Sequence, residues 1–187
     1  VSEPAGRVVS VNLGQRRFVP WRGRMVATGI FKEPVGGRIV VRDDHVEGDT
    51  VADRRVHGGW SKAVYAYPAE HYVAWRAEEP RREWPWGFFG ENLTVEGLRE
   101  SDVGIGDRFR IGSAELQVTE PRLPCMKLGL KYGDTRFIKR FLHSGRTGFY
   151  LAIVDPGDIG AGDAIEAQFE GGPTIAELVR RAAGASG

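Results

Sequence analysis

Cysteine occurs once in this chain, at Cys125, and a lone thiol closes no internal disulfide and holds no iron–sulfur cluster. An excess of charge of one sign is also missing. With 26 basic against 25 acidic residues and a formal net charge of +1, bulk attraction to nucleic acid or to anionic lipid is not where affinity would come from. No apolar run approaches the roughly 18 residues of a membrane-spanning helix. The first residues, VSEPAGRVVS, have neither the basic nor the apolar region of a signal peptide, so the expected compartment is the cytoplasm. The four histidines, His45, His57, His71 and His143, and the one cysteine fall into no CxxC or HExxH spacing, and zinc is not expected. No GxxxxGK[ST] phosphate loop is present. These absences leave a soluble globular protein with no nucleic-acid or membrane partner and with its oligomeric state open. At 187 residues one compact domain is the natural size, able to bury roughly 70% of the surface its unfolded chain exposes.

Glycine is plentiful, at 26 residues, and much of it falls in Gly-Asp pairs such as Gly48-Asp49, Gly106-Asp107 and Gly162-Asp163 at the edges of short apolar runs. That punctuation predicts many short strands joined by turns. Residues 6–13, 37–42, 107–119 and 148–154 carry the β-branched and aromatic residues of strands. Alternation on both sides of Gly112-Ser113 predicts a hairpin there. Helical patterns are fewer. Pro68 can open a helix sending Tyr72, Val73 and Trp75 to the core. A second follows Asp134 or Thr135, with Phe137, Ile138, Phe141 and Leu142 on one stripe, and ends near Gly145. A third has the capping-box pair Thr174 and Glu177. The expected class is mainly β with a few helices (α+β). The barrel-sized domain spans residues 1–170, and a short helical extension covers 171–187 beyond Gly171-Gly172-Pro173.

Three segments concentrate chemistry. VHGGWSKAVYAYPAEHYVAW, residues 56–75, packs His57, paired glycines and Lys62 into one loop and helix start. Its backbone can approach a ligand and its lysine can meet a phosphate, or the loop is simply a tight turn with a polar filler. WPWGFFGENLTVEGL offers Trp86 and Phe89 as flat faces for a heterocycle and Asn92 as an amide that both donates and accepts; the competing reading is core packing. In EPRLPCMKLG, Pro121 and Pro124 hold the backbone extended ahead of Cys125, and Arg122 and Lys127 favour the thiolate if their charges reach it. A buried, inert cysteine is the alternative. A nucleophilic pair of Cys125 with His57 or His71 is chemically sensible, with no spacing to support it.

Taken in order, VHGGWSKAVYAYPAEHYVAW, FFGENLTVEGL, GIGDRFRIGSAELQVTEPRLPCMKL and RTGFYLAIV resemble the MOSC family, the C-terminal domain of molybdenum-cofactor sulfurases, and within it the small YiiM-like branch. The likeness runs from about Gly6 to Phe169. It implies a MOSC-type β-barrel with peripheral helices and a molybdenum–pyranopterin (molybdopterin) cofactor, with Cys125 as the protein's sulfur ligand to the metal. It further implies that Asn92 hydrogen-bonds the pterin or the metal's surroundings, and that His57, Lys62 and Arg122 hold cofactor or orient substrate. The activity implied is an oxidoreductase's: reduction of N-hydroxylated compounds such as hydroxylamino-purines. His57 would donate protons, and the aromatic segment containing Trp86 and Phe89 would form the substrate wall. The chain has no flavin, haem or cluster signature, so a separate electron-donor reductase is expected as partner. A rival within the same fold is a carrier of cofactor or persulfide that turns nothing over. YiiM-like chains usually continue into three further helices, whereas here one helical stretch, from Thr174 to about Ala183, follows the barrel.

Overall fold

The computed structural model describes residues 4–50 and 59–185. Its strands are β1 (Gly6–Leu13), β2 (Arg17–Trp21), β3 (Arg24–Thr28), β4 (Glu33–Pro34), β5 (Arg38–Arg42), β6 (His45–Val46), β7 (Val64–Pro68) and β8 (Leu93–Glu96), then β9 (Arg108–Ile111), β10 (Ala114–Pro121), β11 (Phe149–Asp155), β12 (Gly157–Gly160) and β13 (Ala164–Gln168). Among the described residues four helices accompany them: α1 (Ala69–Glu78), α2 (Met126–Tyr132), α3 (Arg136–Ser144) and α4 (Ile175–Ala185).

Seven strands, in the order β13, β9, β10, β11, β7, β8, β1, close into a barrel because β1 pairs again with β13 through Gly6↔Ile165 and Arg7↔Ala164. Every barrel pair is antiparallel except β7 and β8, which run parallel. A parallel pair needs a long crossover, and α1 with the aromatic loop behind it supplies one. Three further strands, β12, β5 and β6, form a small sheet, and β2 and β3 form a separate hairpin.

Alternation along each barrel strand fills the interior with Val8, Val11, Leu93, Val95, Leu116 and Val118, each at most 1% exposed. A second, aromatic core lies between the barrel wall and the helices α1 and α3. There Tyr67, Tyr72, Trp75, Phe89 and Phe141 are fully buried, and Tyr67 stacks on Phe89 with centroids 4.3 Å apart. Pro68 caps α1 as the sequence pattern predicts, and Tyr72 and Trp75 point inward. Val73, expected beside them, is 66% exposed. One step of about 100° past Tyr72 carries it off the stripe that residues 72 and 75 share.

The hairpin at Gly112-Ser113 and the helix ending at Gly145 are found where the residues predict them. The capping box is reciprocal: the Thr174 N–H donates to Glu177 Oε2 at 2.8 Å, and the Glu177 N–H donates to Thr174 Oγ1 at 3.2 Å. From that start α4 buries Ile175 and Val179 among the barrel-core residues, and the Ala176 N–H bonds the Glu100 carbonyl at 2.9 Å. No helix among the described residues is long and apolar enough to cross a membrane.

Candidate functional site

One half-open cleft of about 610 Å³, its mouth included, gathers residues from both ends of the sequence. Thr28, Gly29 and Ile30 leave the β2–β3 hairpin to form one side, and Lys32, Asp49 and Thr50 continue it. Lys62, Ala63 and Tyr65 at the start of β7, Phe89, Gly90 and Asn92 ahead of β8, and Tyr150 on β11 complete the wall with Arg122, Cys125 and Lys127.

The cysteine's position follows from the local sequence. β10 ends at Pro121, the Arg122 N–H donates to the Gly148 carbonyl at 3.2 Å, and a short irregular stretch leads into the first turn of α2. Cys125 is the N-cap of that helix, with φ −126° and ψ 176°, and its side chain does not cap the helix. It is half-buried and lies on the cleft wall. Cys125 itself has extended backbone; the helix that starts directly after it has no clear pattern in MKLGLKY.

Arg122 is 5% exposed, its guanidinium 5.4 Å from the Tyr65 ring centroid and 5.6 Å from that of Phe141. Burial opposes its charge, but Tyr65, Tyr150 and Cys125 together more than offset that and hold its pKa above the usual arginine value. Its Nη1 is buried without a hydrogen-bond partner among the described residues. Buried donors are ordinarily paired, so this atom marks a place where an acceptor fits. Tyr150, bonded to Arg122, has its own pKa raised, chiefly by burial. Lys62 stands on a 3₁₀ turn, Trp60–Lys62, with its Nζ 3.8 Å from Glu120 Oε2 and 5.9 Å from the Tyr150 ring centroid.

Asn92 is committed to the protein. Its Oδ1 accepts the Tyr65 N–H at 3.1 Å, and its Nδ2 donates to Asp49 Oδ2 at 2.9 Å. The backbone of the same residue bonds Tyr65 and Asn12. Asn92 therefore pins β7 to the loop before β8, and both Nδ2 hydrogens and one of the two Oδ1 lone pairs are used within the fold. Asp49 also accepts the Gly14 N–H at 2.9 Å and pairs with Lys32, both side chains of that ion pair being buried. Burial lowers the Lys32 pKa more than Asp49 and Glu91 raise it.

Behind the wall, Glu91 organises the Gly87–Gly90 turn. It is fully buried, accepts from the Tyr72 hydroxyl, the Gly87 N–H at 2.8 Å, Thr94 Oγ1 at 3.0 Å and the Phe89 N–H at 3.2 Å, and burial raises its pKa. This fixes which aromatics face the cleft. Phe89 reaches it. Trp86 does not line it: its ring packs edge-on to Tyr72 at 4.6 Å, with the Arg76 guanidinium 5.0 Å from its centroid. Tyr65, Phe89 and Tyr150 are the aromatic residues of the lining, and of the three only Tyr150 is more than marginally exposed. Gly90 must be glycine here, since φ is +87° and a Cβ would sit 2.9 Å from Ile30 Cγ1. Lys131 clamps the turn from outside, its Nζ donating to the carbonyls of Ile30 at 3.0 Å and Gly87 at 2.9 Å.

Of the residues singled out from the sequence, Lys62, Phe89, Asn92, Arg122 and Cys125 share the cleft, Trp86 lies apart from it, and His57 lies outside the described residues. Lys32, Asp49, Tyr65 and Tyr150 also line it without having been singled out. Asp49 belongs to one of the Gly-Asp pairs that read as turn punctuation, and nothing in the pattern around Lys32 separates it from a surface lysine.

Comparison with known proteins points one way. A family model described as MOSC domain matches residues 53–166. The uncharacterised protein YflK of Bacillus subtilis is 42% identical over 159 residues, which cover 85% of this chain and 72% of that one. A protein named "Reductase" from Gibberella moniliformis is 35% identical over 146 residues, 76% of this chain but 26% of its own length. Among solved structures, YiiM from Geobacillus stearothermophilus superposes with a TM-score of 0.78 at 32% identity, covering 95% of this chain and 84% of that one.

Proposed function

This chain belongs to the MOSC domain family, and on that premise we propose that it reduces N-hydroxylated compounds, hydroxylamino-purines among them, with a molybdenum–pyranopterin cofactor whose protein sulfur ligand is Cys125. The observation that carries the reading is the pairing, on one wall, of the chain's single thiol with the unpartnered Nη1 of buried Arg122. Thiolate is the soft ligand that suits a metal already held by dithiolene sulfurs, and a fixed guanidinium suits the anionic groups that come with such a cofactor.

The donor set fits the group. Arg122 keeps its proton under any ordinary condition, so it supplies a permanent positive charge, and its stacking against Tyr65 and Phe141 fixes its direction. Lys62 and Lys127 add positive charge to the same lining. When bound, the cofactor supplies the two electrons of the reduction. The chain's share is to hold, orient and protonate. The partly exposed ring of Tyr150 offers a planar substrate its flat contact, the role expected of Trp86 and Phe89. Asn92 and Asp49 keep the strand beneath them in register. His57 would supply a proton as well, on the strength of its side-chain chemistry near neutral pH. The "Reductase" name of the fungal relative supports oxidoreductase chemistry, and electrons would arrive from a separate reductase protein in the cytoplasm.

Protein produced in a cofactor-competent host and given a chemical reductant should convert 6-hydroxylaminopurine to adenine, and Cys125→Ala should not. Cofactor retained by the wild type with no amine formed would instead mark a carrier and overturn the enzymatic reading.

A further inference from the structure

Reducing R–NHOH to R–NH2 and water consumes two electrons and two protons, so a site for this reaction needs acids as well as a reductant. Arg122 cannot serve as an acid because it does not deprotonate. Lys62 is 28% exposed and faces Glu120. Lys32 differs from both. It is on the cleft wall, its side chain is 8% exposed, and the Asp49 side chain it pairs with is 6% exposed.

Two features of this pair bear on the contents of the cleft. Burying an ion pair costs desolvation that apolar side chains of similar volume would not, and here the pair lines the cleft. An ammonium also has three hydrogens, yet Asp49 is the one hydrogen-bond acceptor of Lys32 Nζ among the described residues. Two N–H bonds are left for the contents of the cleft. Asp49 is itself immobile, held by the Gly14 N–H and by Asn92 Nδ2, both at 2.9 Å, so it aims the amine rather than following it.

We propose that Lys32 is a catalytic acid of this site, its ammonium protonating the hydroxylamine oxygen as the N–O bond breaks, and that Asp49 is the positioning residue that aims it. The inference rests on the reductive reading given above. In the step, with two electrons that a bound cofactor would supply, the N–O bond would cleave as its oxygen takes the proton from Lys32 Nζ and leaves as water, and the nitrogen would take a second proton from water to become the amine. The neutral Lys32 amine then regains its proton from water through the open mouth. Burial, outweighing Asp49 and Glu91, loosens the ammonium's hold on its proton, the direction that suits an acid working near neutral pH. The charged groups around Lys32 are Asp49, Glu91 and Lys131, with Arg122, Lys62 and Lys127 on the same cleft.

Two measurements test this. In cofactor-free wild-type protein labelled with ε-13C lysine, the resonance missing from Lys32→Arg should titrate at lower pH than the bulk of the lysines. In cofactor-loaded protein driven by a chemical reductant, wild-type kcat for 6-hydroxylaminopurine should fall on the alkaline side with that midpoint. Lys32→Arg should keep its molybdenum, lose that alkaline limb and turn over roughly 100-fold or more slowly. A Lys32 resonance that titrates with the bulk, or a Lys32→Arg profile that superposes on the wild type, overturns the proposal, as does loss of molybdenum from the variant, which would make Lys32 a cofactor ligand. Absence of amine formation in the wild type would instead defeat the reductive reading on which the inference stands.

Discussion

Replacing Lys131 with methionine should change how stability depends on pH more than it changes the fold. The ammonium is buried between the Phe31 and Phe88 rings, 5.4 and 5.2 Å from their centroids, and donates to two carbonyls. Burial, only partly offset by Glu91, drops its pKa from 10.5 to about 7. In the unfolded chain the same group keeps the usual lysine value, so between pH 7 and 10.5 the unfolded state binds more protons and the wild type gains stability as pH rises. Conversely, that gain disappears as pH falls through about 7, where the buried amine must carry charge. At about 1.4 kcal/mol per unit, the full shift is worth about 5 kcal/mol, of which about 3 falls between pH 6 and pH 9. Methionine has no proton to bind, so urea unfolding of both proteins across that range, followed by tryptophan fluorescence, isolates the lysine. The wild type should gain about 3 kcal/mol on Lys131→Met from pH 6 to pH 9, whatever constant offset the lost hydrogen bonds impose. A difference that stays flat with pH, or that shrinks as pH rises, would refute the reasoning.

Other consequences concern the same wall. Asp49→Ala strands a buried ammonium and unpairs the Gly14 N–H and Asn92 Nδ2, and it should cost about 3 to 5 kcal/mol in denaturant unfolding, whereas adding Lys32→Met should recover the share due to the ammonium; equal losses from the single and double variants would contradict the ion-pair account. Gly148→Ala places a Cβ 2.4 Å from the Ala66 carbonyl oxygen at a φ of +69°, and it should cost at least about 2 kcal/mol, a fall in Tm of about 4 to 8 °C by calorimetry. An unchanged Tm would mean that β7 and β11 can part there without penalty.

How far the sequence foretold this arrangement depends on the range over which each feature is encoded. Short-range signals were legible: the Thr174–Glu177 capping box, the Gly112-Ser113 hairpin and the full length of β1 are each set by residues a few positions apart. Cys125 and Arg122 are three residues apart, and turning into α2 brings them to one wall. Features made by tertiary closure were not legible. Lys32 and Asp49 are 17 residues apart and meet only after the intervening strands have folded into their sheet. The parallel pairing of β7 with β8 depends on a crossover that no local pattern announces. The choice between Trp86 and Phe89 was out of reach for the same reason. Both lie in one aromatic run, and the bonds of Glu91 to Tyr72, Gly87 and Phe89 decide which of the two residues borders the cleft. Asn92 was found by residue type, but its partners, Tyr65 and Asp49, come from separate segments.

The most direct test of the central claim is X-ray absorption at the molybdenum edge on cofactor-loaded wild type and Cys125→Ala. The account predicts one more sulfur ligand on molybdenum in the wild type than the dithiolene alone provides, and its loss in the variant. An identical sulfur count in the two proteins would contradict it.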